Sequence, residues 1–285
     1  METKSERVKR MLFGYPGSKW RMSKHYVPLF PAHSIYVSAF GGSASEFAHK
    51  APSRREIFND VDANVHAVFA VLRDDTLSEK LIQLIENTTD SRCLYDECYT
   101  TLRDSSISLL ERAFAFLIIG NVGFMGKHPM VVRYYACSLK KKARRLVRLP
   151  DYLCQWRDRM RLVEVENVDA FDLLDRYDAP DTFFFLDPPY HQTTCHKDLF
   201  LHEIFDHRRF LKRIQNLKGK AMICSYPHGL YEVQLYGWRK ISFPILKSFN
   251  GRSPRTEVIW MNYDADGQRI TQNFNLIKAF EQLPA

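Results

Sequence analysis

Four apolar residues, Phe183 to Leu186, run without alternation into Asp187, and two prolines and a tyrosine follow in the stretch FFFLDPPY. A run this short and this uniformly apolar suits a central strand buried on both faces. Prolines donate no backbone hydrogen bond, so they end it. Asp187 is then expected at the carboxyl end of a buried strand, the edge at which open α/β sheets bind their ligands. A proline turn in which Asp187 merely caps the bend would produce the same letters, and the rest of the chain has to decide between the two.

Composition sets the outer bounds. With 285 residues, 45% hydrophobic and 26% charged, the chain can bury a full core as one large domain or as a domain carrying an insert. No apolar run approaches the ~20 residues that cross a bilayer, and the amino end METKSERVKRM lacks the apolar segment of a secretory signal. Six cysteines without zinc-ribbon spacing are too sparse for a disulfide scaffold, so free thiols and a cytoplasmic location are expected. The net charge of +8 favours an anionic partner. It is concentrated between Lys140 and Arg161, where nine Lys or Arg stand against two Asp, just after the aromatic pair in VVRYYACS. Such a block suits contacts to a phosphate backbone, although a solvated helix face reads similarly.

Three further segments frame the acidic strand end. MLFGYPGSKW places Gly14 and Gly17 around Tyr15 and Pro16 with Lys19 close behind, a tight loop carrying an aromatic ring and a cation. In SIYVSAFGGSASEFAHK, residues 35–40 read as a strand, Gly41, Gly42 and Ser43 as a turn, and residues 44–50 as the start of a helix. Small residues between a strand and a helix let a ligand approach the backbone amides. About twenty residues on, REIFNDVDANVHAVF gives a second strand ending at Asn59 and Asp60. An acidic residue there suits a ribose, while Asp60 or Asp62 also suits the cap of the following helix.

In this order, YPGSK, AFGGSAS, FNDVD, NVDAF and LDPPY resemble the Dam-like DNA adenine methyltransferases, most closely their phage-type branch. Later stretches such as RTEVIWMNY extend the resemblance over almost the whole chain. Three positions depart from the family pattern: Ser38 and Ala39 stand where an acidic residue and proline are usual, and Ala44 where a third glycine is common. The resemblance implies a Rossmann-like α/β fold, with a mixed, mostly parallel seven-stranded sheet, helices on both faces and a hairpin at one edge. Strands are expected at 35–40, 56–59, 162–165, 183–186, 220–225, 238–243 and 256–262. Residues 1–74 and 156–285 would form the catalytic domain, and the mainly helical 75–155 an inserted target-recognition domain.

The same resemblance implies methyl transfer from S-adenosylmethionine to the exocyclic amine of adenine in double-stranded DNA, at a specific short site and after base flipping. Asp187 and the Pro188 carbonyl would accept the amine hydrogens, and Tyr190 would stack on the extruded base. Tyr15, Lys19, Phe40, Gly42, Ser43, Asp60, Asp169, Ala170 and Asp187 match the cofactor site. Asn121, Phe124, Lys140, Lys141, Lys142, Arg144 and Arg145 are expected to face DNA. No metal is implied: His191, Cys195, His196 and His202 match no standard zinc spacing and read as a loop near the substrate. His207 reads as the start of a helix that packs Phe210, Leu211 and Ile214 on the sheet. Methylation of RNA or of the cytosine amine, or DNA binding on a catalytically weak scaffold, are the alternatives. A restriction endonuclease partner is left open by the sequence.

Overall fold

The computed structural model describes residues 8–123, 143–191, 205–245 and 255–270. Its centre is a seven-stranded sheet of β1 (Ile35–Ser38), β2 (Arg55–Asn59), β3 (Val163–Glu166), β4 (Thr182–Leu186), β5 (Lys220–Ser225), β6 (Arg239–Ile245) and β7 (Arg255–Met261), ordered β3-β2-β1-β4-β5-β7-β6. Strands β1 to β5 pair in parallel, and β7 runs antiparallel to both β5 and β6. This is the mixed sheet with an edge hairpin that the sequence predicts, and each strand falls where it is expected to within a residue or two at either end. The strand order reverses between β1 and β4, so the topological switch point falls beside the ends of those two strands, where an open α/β sheet leaves its ligand crevice.

Alternation along β4 shows why its run is continuous. Phe183 and Phe185 join the apolar cluster on one face, while Phe184 and Leu186 join the cluster on the other. On the first face lie α1 (Ser23–Tyr26), α2 (Ala63–Arg73), α3 (Asp75–Glu86), α4 (Arg92–Thr101), α5 (Leu109–Val122), α6 (Ala143–Val147) and α7 (Leu149–Met160). On the second lie α8 (Ala170–Arg176), α9 (His207–Ile214) and α10 (Gly229–Gln234). Phe210, Leu211 and Ile214 of α9 are buried there, as its periodicity predicts.

Helix starts follow ordinary capping chemistry. Asp62 accepts from the Asn64 amide to begin α2, and Ser108 with Glu111 makes a capping box that begins α5. Helix α5 is apolar nearly all round, which suits an element enclosed by others. Accordingly the described helices of the segment 75–155 share their apolar cluster with α2 and the sheet: Leu81, Ile85, Tyr95, Phe116, Leu153 and Trp156 belong with Phe58, Phe69 and Phe183.

One local expectation fails. Residues 45–49 form consecutive turns, Lys50 a bend, and no helix forms over 44–50. Ala44 has φ of 50°, in the left-handed region that breaks helical continuity at the first residue of the segment. That conformation also explains why glycine would suit this position. The tail after Asp264, which reads from the sequence as a short helix, lies largely outside the described residues, which end at Ile270 after a bridge between Tyr263 and Arg269. Among the described residues no helix is long and apolar enough to cross a membrane.

Candidate active site

At the carboxyl edge of the sheet, three chain segments meet above β1 and β4. The turn after β1 is shaped by close approach: a Cβ on Gly41 would sit 2.2 Å from the Phe58 ring, so only glycine fits. Gly42 has φ of +49°, and a Cβ on it would meet the Tyr15 ring at 3.2 Å. Tyr15 therefore lies directly on this turn. Ser18 joins the two loops, its hydroxyl 2.8 Å from that of Ser43 and 3.2 Å from that of Ser45. Phe40 packs edge-on against Phe205 and Phe210.

Asp60 ties the turn to the end of β2. Its two oxygens accept from the Gly42 amide at 2.7 Å and the Asp62 amide at 2.9 Å. Burial, reinforced by the neighbouring Asp62, nevertheless pushes its carboxyl up to about 7. Asn59 completes this corner by donating to the Ala39 and Val168 carbonyls. Asp169 is exposed and caps α8 through the Phe171 amide at 2.7 Å, which leaves Ala170 buried behind it.

Asp187 follows β4 directly and meets Lys19 from the amino-terminal loop. The Lys19 ammonium lies 2.7 Å from Asp187 Oδ2 and 3.6 Å from Glu257 Oε1, and also donates to the Gly17 carbonyl. Lys19, expected in the cofactor loop, and Asp187, expected in both the cofactor site and catalysis, thus form one ion pair. Asp187 Oδ1 is buried and has no hydrogen-bond partner among the described residues. Burial raises the Asp187 carboxyl above its ordinary range, against the opposing pull of Lys19 and Tyr190. Burial would lower the Lys19 ammonium, but Asp187 and Glu257 outweigh it and hold the group protonated. Tyr190 donates its hydroxyl to Glu257, lies edge-on to Tyr226 at 4.5 Å between centroids, and has the Lys19 ammonium 4.8 Å from its ring. Pro188, next to Asp187, is buried.

Glu257 has no expected role from the sequence: it lies in RTEVIWMNY, a stretch that extends the resemblance without marking any one of its residues. Asp187, Cys224 and Glu257 lie close enough together to hold a metal ion, but the cation that the two carboxyls meet is Lys19. His191 stacks on His228 with centroids 3.9 Å apart, while Cys195, His196 and His202 lie outside the described residues.

Two of the residues expected to face DNA are instead interior. Asn121 is 1% exposed, and its amide donates to the Leu12 and Leu117 carbonyls at 2.8 Å each, so it fastens the amino-terminal loop to α5. Arg145 is 7% exposed, and burial, aided by Arg10, lowers its guanidinium to about 10. A side chain so enclosed is poorly placed for a phosphate. Phe124, Lys140, Lys141 and Lys142 lie outside the described residues, and of Arg144 only its position in α6 is described.

A doubly covered, mostly parallel sheet with a glycine turn, an acidic strand end and a DPPY corner along one edge defines a Rossmann-like methyltransferase. The sequence matches the family model for the D12 class N6 adenine-specific DNA methyltransferases over residues 15–228. That span covers more than half of the chain, and the protein belongs to this family: it is an adenine-specific DNA methyltransferase that uses S-adenosylmethionine. No curated protein matches the chain.

Proposed function

We propose that this enzyme extrudes its target adenine from double-stranded DNA at a specific short site and presents the exocyclic amine to Asp187. The observation that carries this reading is the buried Asp187 Oδ1, which meets no partner among the described residues. An orphaned buried acceptor costs about 1–3 kcal/mol, so its retention beside an ion pair suits a group that waits for a substrate donor.

The adenine amine is a poor nucleophile because its lone pair is delocalised into the ring. Asp187 Oδ1 accepts one of its hydrogens and the Pro188 carbonyl the other, which draws the nitrogen toward tetrahedral geometry and stabilises the positive charge that develops on it. Lys19 keeps Asp187 Oδ2 engaged and the carboxyl oriented. Tyr190 offers its ring to the extruded base, whose removal from the duplex costs a few kcal/mol.

The methyl donor supplies an electrophilic methyl on a sulfonium. The residues present fit such a ligand: Gly42 leaves a cradle that a Cβ would fill against Tyr15, and Asp60 is a buried carboxyl with spare acceptor capacity for ribose hydroxyls. Tyr15, Lys19, Phe40, Gly42, Ser43 and Asp60 would hold it, with Asp169 and Ala170 flanking its adenine. The segment 75–155 would carry target recognition, and the cluster Lys140, Lys141, Lys142 and Arg144 would meet the duplex backbone.

Modified-base sequencing of DNA exposed to the enzyme identifies the site, and 2-aminopurine placed at the modified position reports extrusion. A rise in fluorescence on binding supports the reading. Methylation of that site without any rise, or methylation of adenines without regard to sequence, would contradict it.

A further inference from the structure

Glu257 stands where an apolar residue would be expected. On β7 its neighbours at every second position, Ile259 and Met261, belong to the apolar cluster that also holds Phe183 and Phe185, whereas Val258 and Trp260 point to the other face. A carboxylate on a core-facing register costs several kcal/mol unless it is paired, and a hydrophobic side chain there would serve the fold better. Glu257 is nevertheless 3% exposed, with the Lys19 ammonium 3.6 Å away and the Tyr190 hydroxyl donating to it. Both partners belong to the active site. Neither is adjacent to Glu257 in sequence, so the contact exists only because β7 inserts between β5 and β6 and sets its amino-terminal half beside the DPPY corner.

We infer that Glu257 is a positioning residue for methyl transfer: it holds the Lys19 ammonium and the Tyr190 hydroxyl, and through Lys19 it keeps Asp187 turned so that Oδ2 is engaged and Oδ1 is left for the substrate amine. The inference rests on the proposed role of Asp187. Lys19 has two carboxyls to satisfy, 2.7 Å and 3.6 Å away. The more distant one gives the ammonium a second anchor, which limits how far its pair with Asp187 can swing. With both carboxyls ionised the trio carries one negative charge in excess, complementary to the positive charge that develops on the amine. Glu257 acts on the reacting atoms only through Lys19, and the Tyr190 hydroxyl helps to hold the Glu257 carboxyl in place.

Single-turnover methyl transfer at saturating duplex and S-adenosylmethionine tests this, together with calorimetric binding of S-adenosylmethionine. Glu257→Gln keeps the shape and removes the charge, and should slow transfer about tenfold or more while cofactor affinity stays within about threefold. Should that variant not fold, Glu257→Asp keeps the charge but withdraws it by one methylene, and should be slowed similarly. Because Glu257 acts through Lys19, the double variant Lys19→Met with Glu257→Gln should be no more than about twofold slower than Lys19→Met alone. Wild-type rates in Glu257→Gln or Glu257→Asp, or a double variant slowed by the full product of the two single effects, would overturn the inference. Asp187→Asn serves as the control on the reading beneath it. If Asp187→Asn retains the wild-type rate, the role of Asp187 falls and the inference with it. If Asp187→Asn is inactive while Glu257→Gln is not, only the inference falls.

Discussion

Glu46 illustrates how a single buried side chain couples this fold to pH. It is 3% exposed and accepts from Ser38 Oγ at 2.6 Å, yet burial raises its carboxyl to about 7, and Asp60 is raised to a similar value. A carboxyl whose folded pKa exceeds its unfolded value holds its proton longer in the folded state. Its contribution is therefore complete below the unfolded pKa, near 4, and disappears as pH rises toward about 7. These two carboxyls therefore contribute a fall in the melting temperature of the ligand-free enzyme between about pH 5 and about pH 7, opposed by His207, whose imidazole is lowered by burial to about 4. Glu46→Gln, which keeps the acceptor for Ser38, should flatten that fall and gain on the wild type as pH increases; parallel pH profiles would refute this. Asp187 was legible in the sequence because everything that marks it is local: an apolar run, two prolines and a tyrosine. Glu257 was not, since RTEVIWMNY extends the resemblance without marking any one of its residues, and its partners Lys19 and Tyr190 come from remote segments. A buried carboxyl at an apolar register becomes visible only when the register itself is known.

Elements rather than residues explain how the helices of the first face are held to the sheet. Helix α7 is pinned to β2 by Arg159, which donates to both oxygens of Glu56 at 2.6 Å and 2.9 Å and to the Phe47 carbonyl at 2.9 Å, while Lys50 also meets Glu56. Glu56 is buried, and although burial alone would raise its carboxyl, Arg159 holds it below the usual range. Arg159→Ala would strip this carboxylate of its bidentate partner, and stability in urea unfolding should fall by about 3–5 kcal/mol. A fall under about 1 kcal/mol would mean that Lys50 alone suffices. The strands were readable because β4 is a short apolar run and others, such as Val163–Glu166, alternate apolar with polar residues, while the mixed, mostly parallel sheet with an edge hairpin came with the family resemblance. What periodicity misjudged was local and polar. It extended a helix through residues 44–50, where Ala44 takes a left-handed conformation. The expectation that Asn121 faces DNA failed for a similar reason, since an amide at the end of an apolar helix can be satisfied by the Leu12 carbonyl of another loop.

At the scale of the whole molecule, the charge of +8 and its concentration near residues 140–161 remain the features most suited to a duplex. They divide once burial is considered, because Arg145 is enclosed while Val147 and Arg148 beyond it are exposed. Replacing Lys140, Lys141 and Lys142 with alanine should therefore weaken duplex binding and flatten its logarithmic salt slope by about 0.9 for each phosphate left without its cation. Arg145→Ala should instead lower the melting temperature and leave the slope as it was, and the reverse pattern would reassign the phosphate partners. In the proposed reaction the duplex is brought to the edge of the sheet, where Asp187, directly after β4, has one oxygen held by Lys19 and the other unengaged among the described residues. The most direct measurement is single-turnover formation of N6-methyladenine by Asp187→Asn, with S-adenosylmethionine and duplex affinities determined on the same preparation. A fall of about a hundredfold or more in rate with both affinities retained is the predicted result, and transfer near the wild-type rate would contradict it.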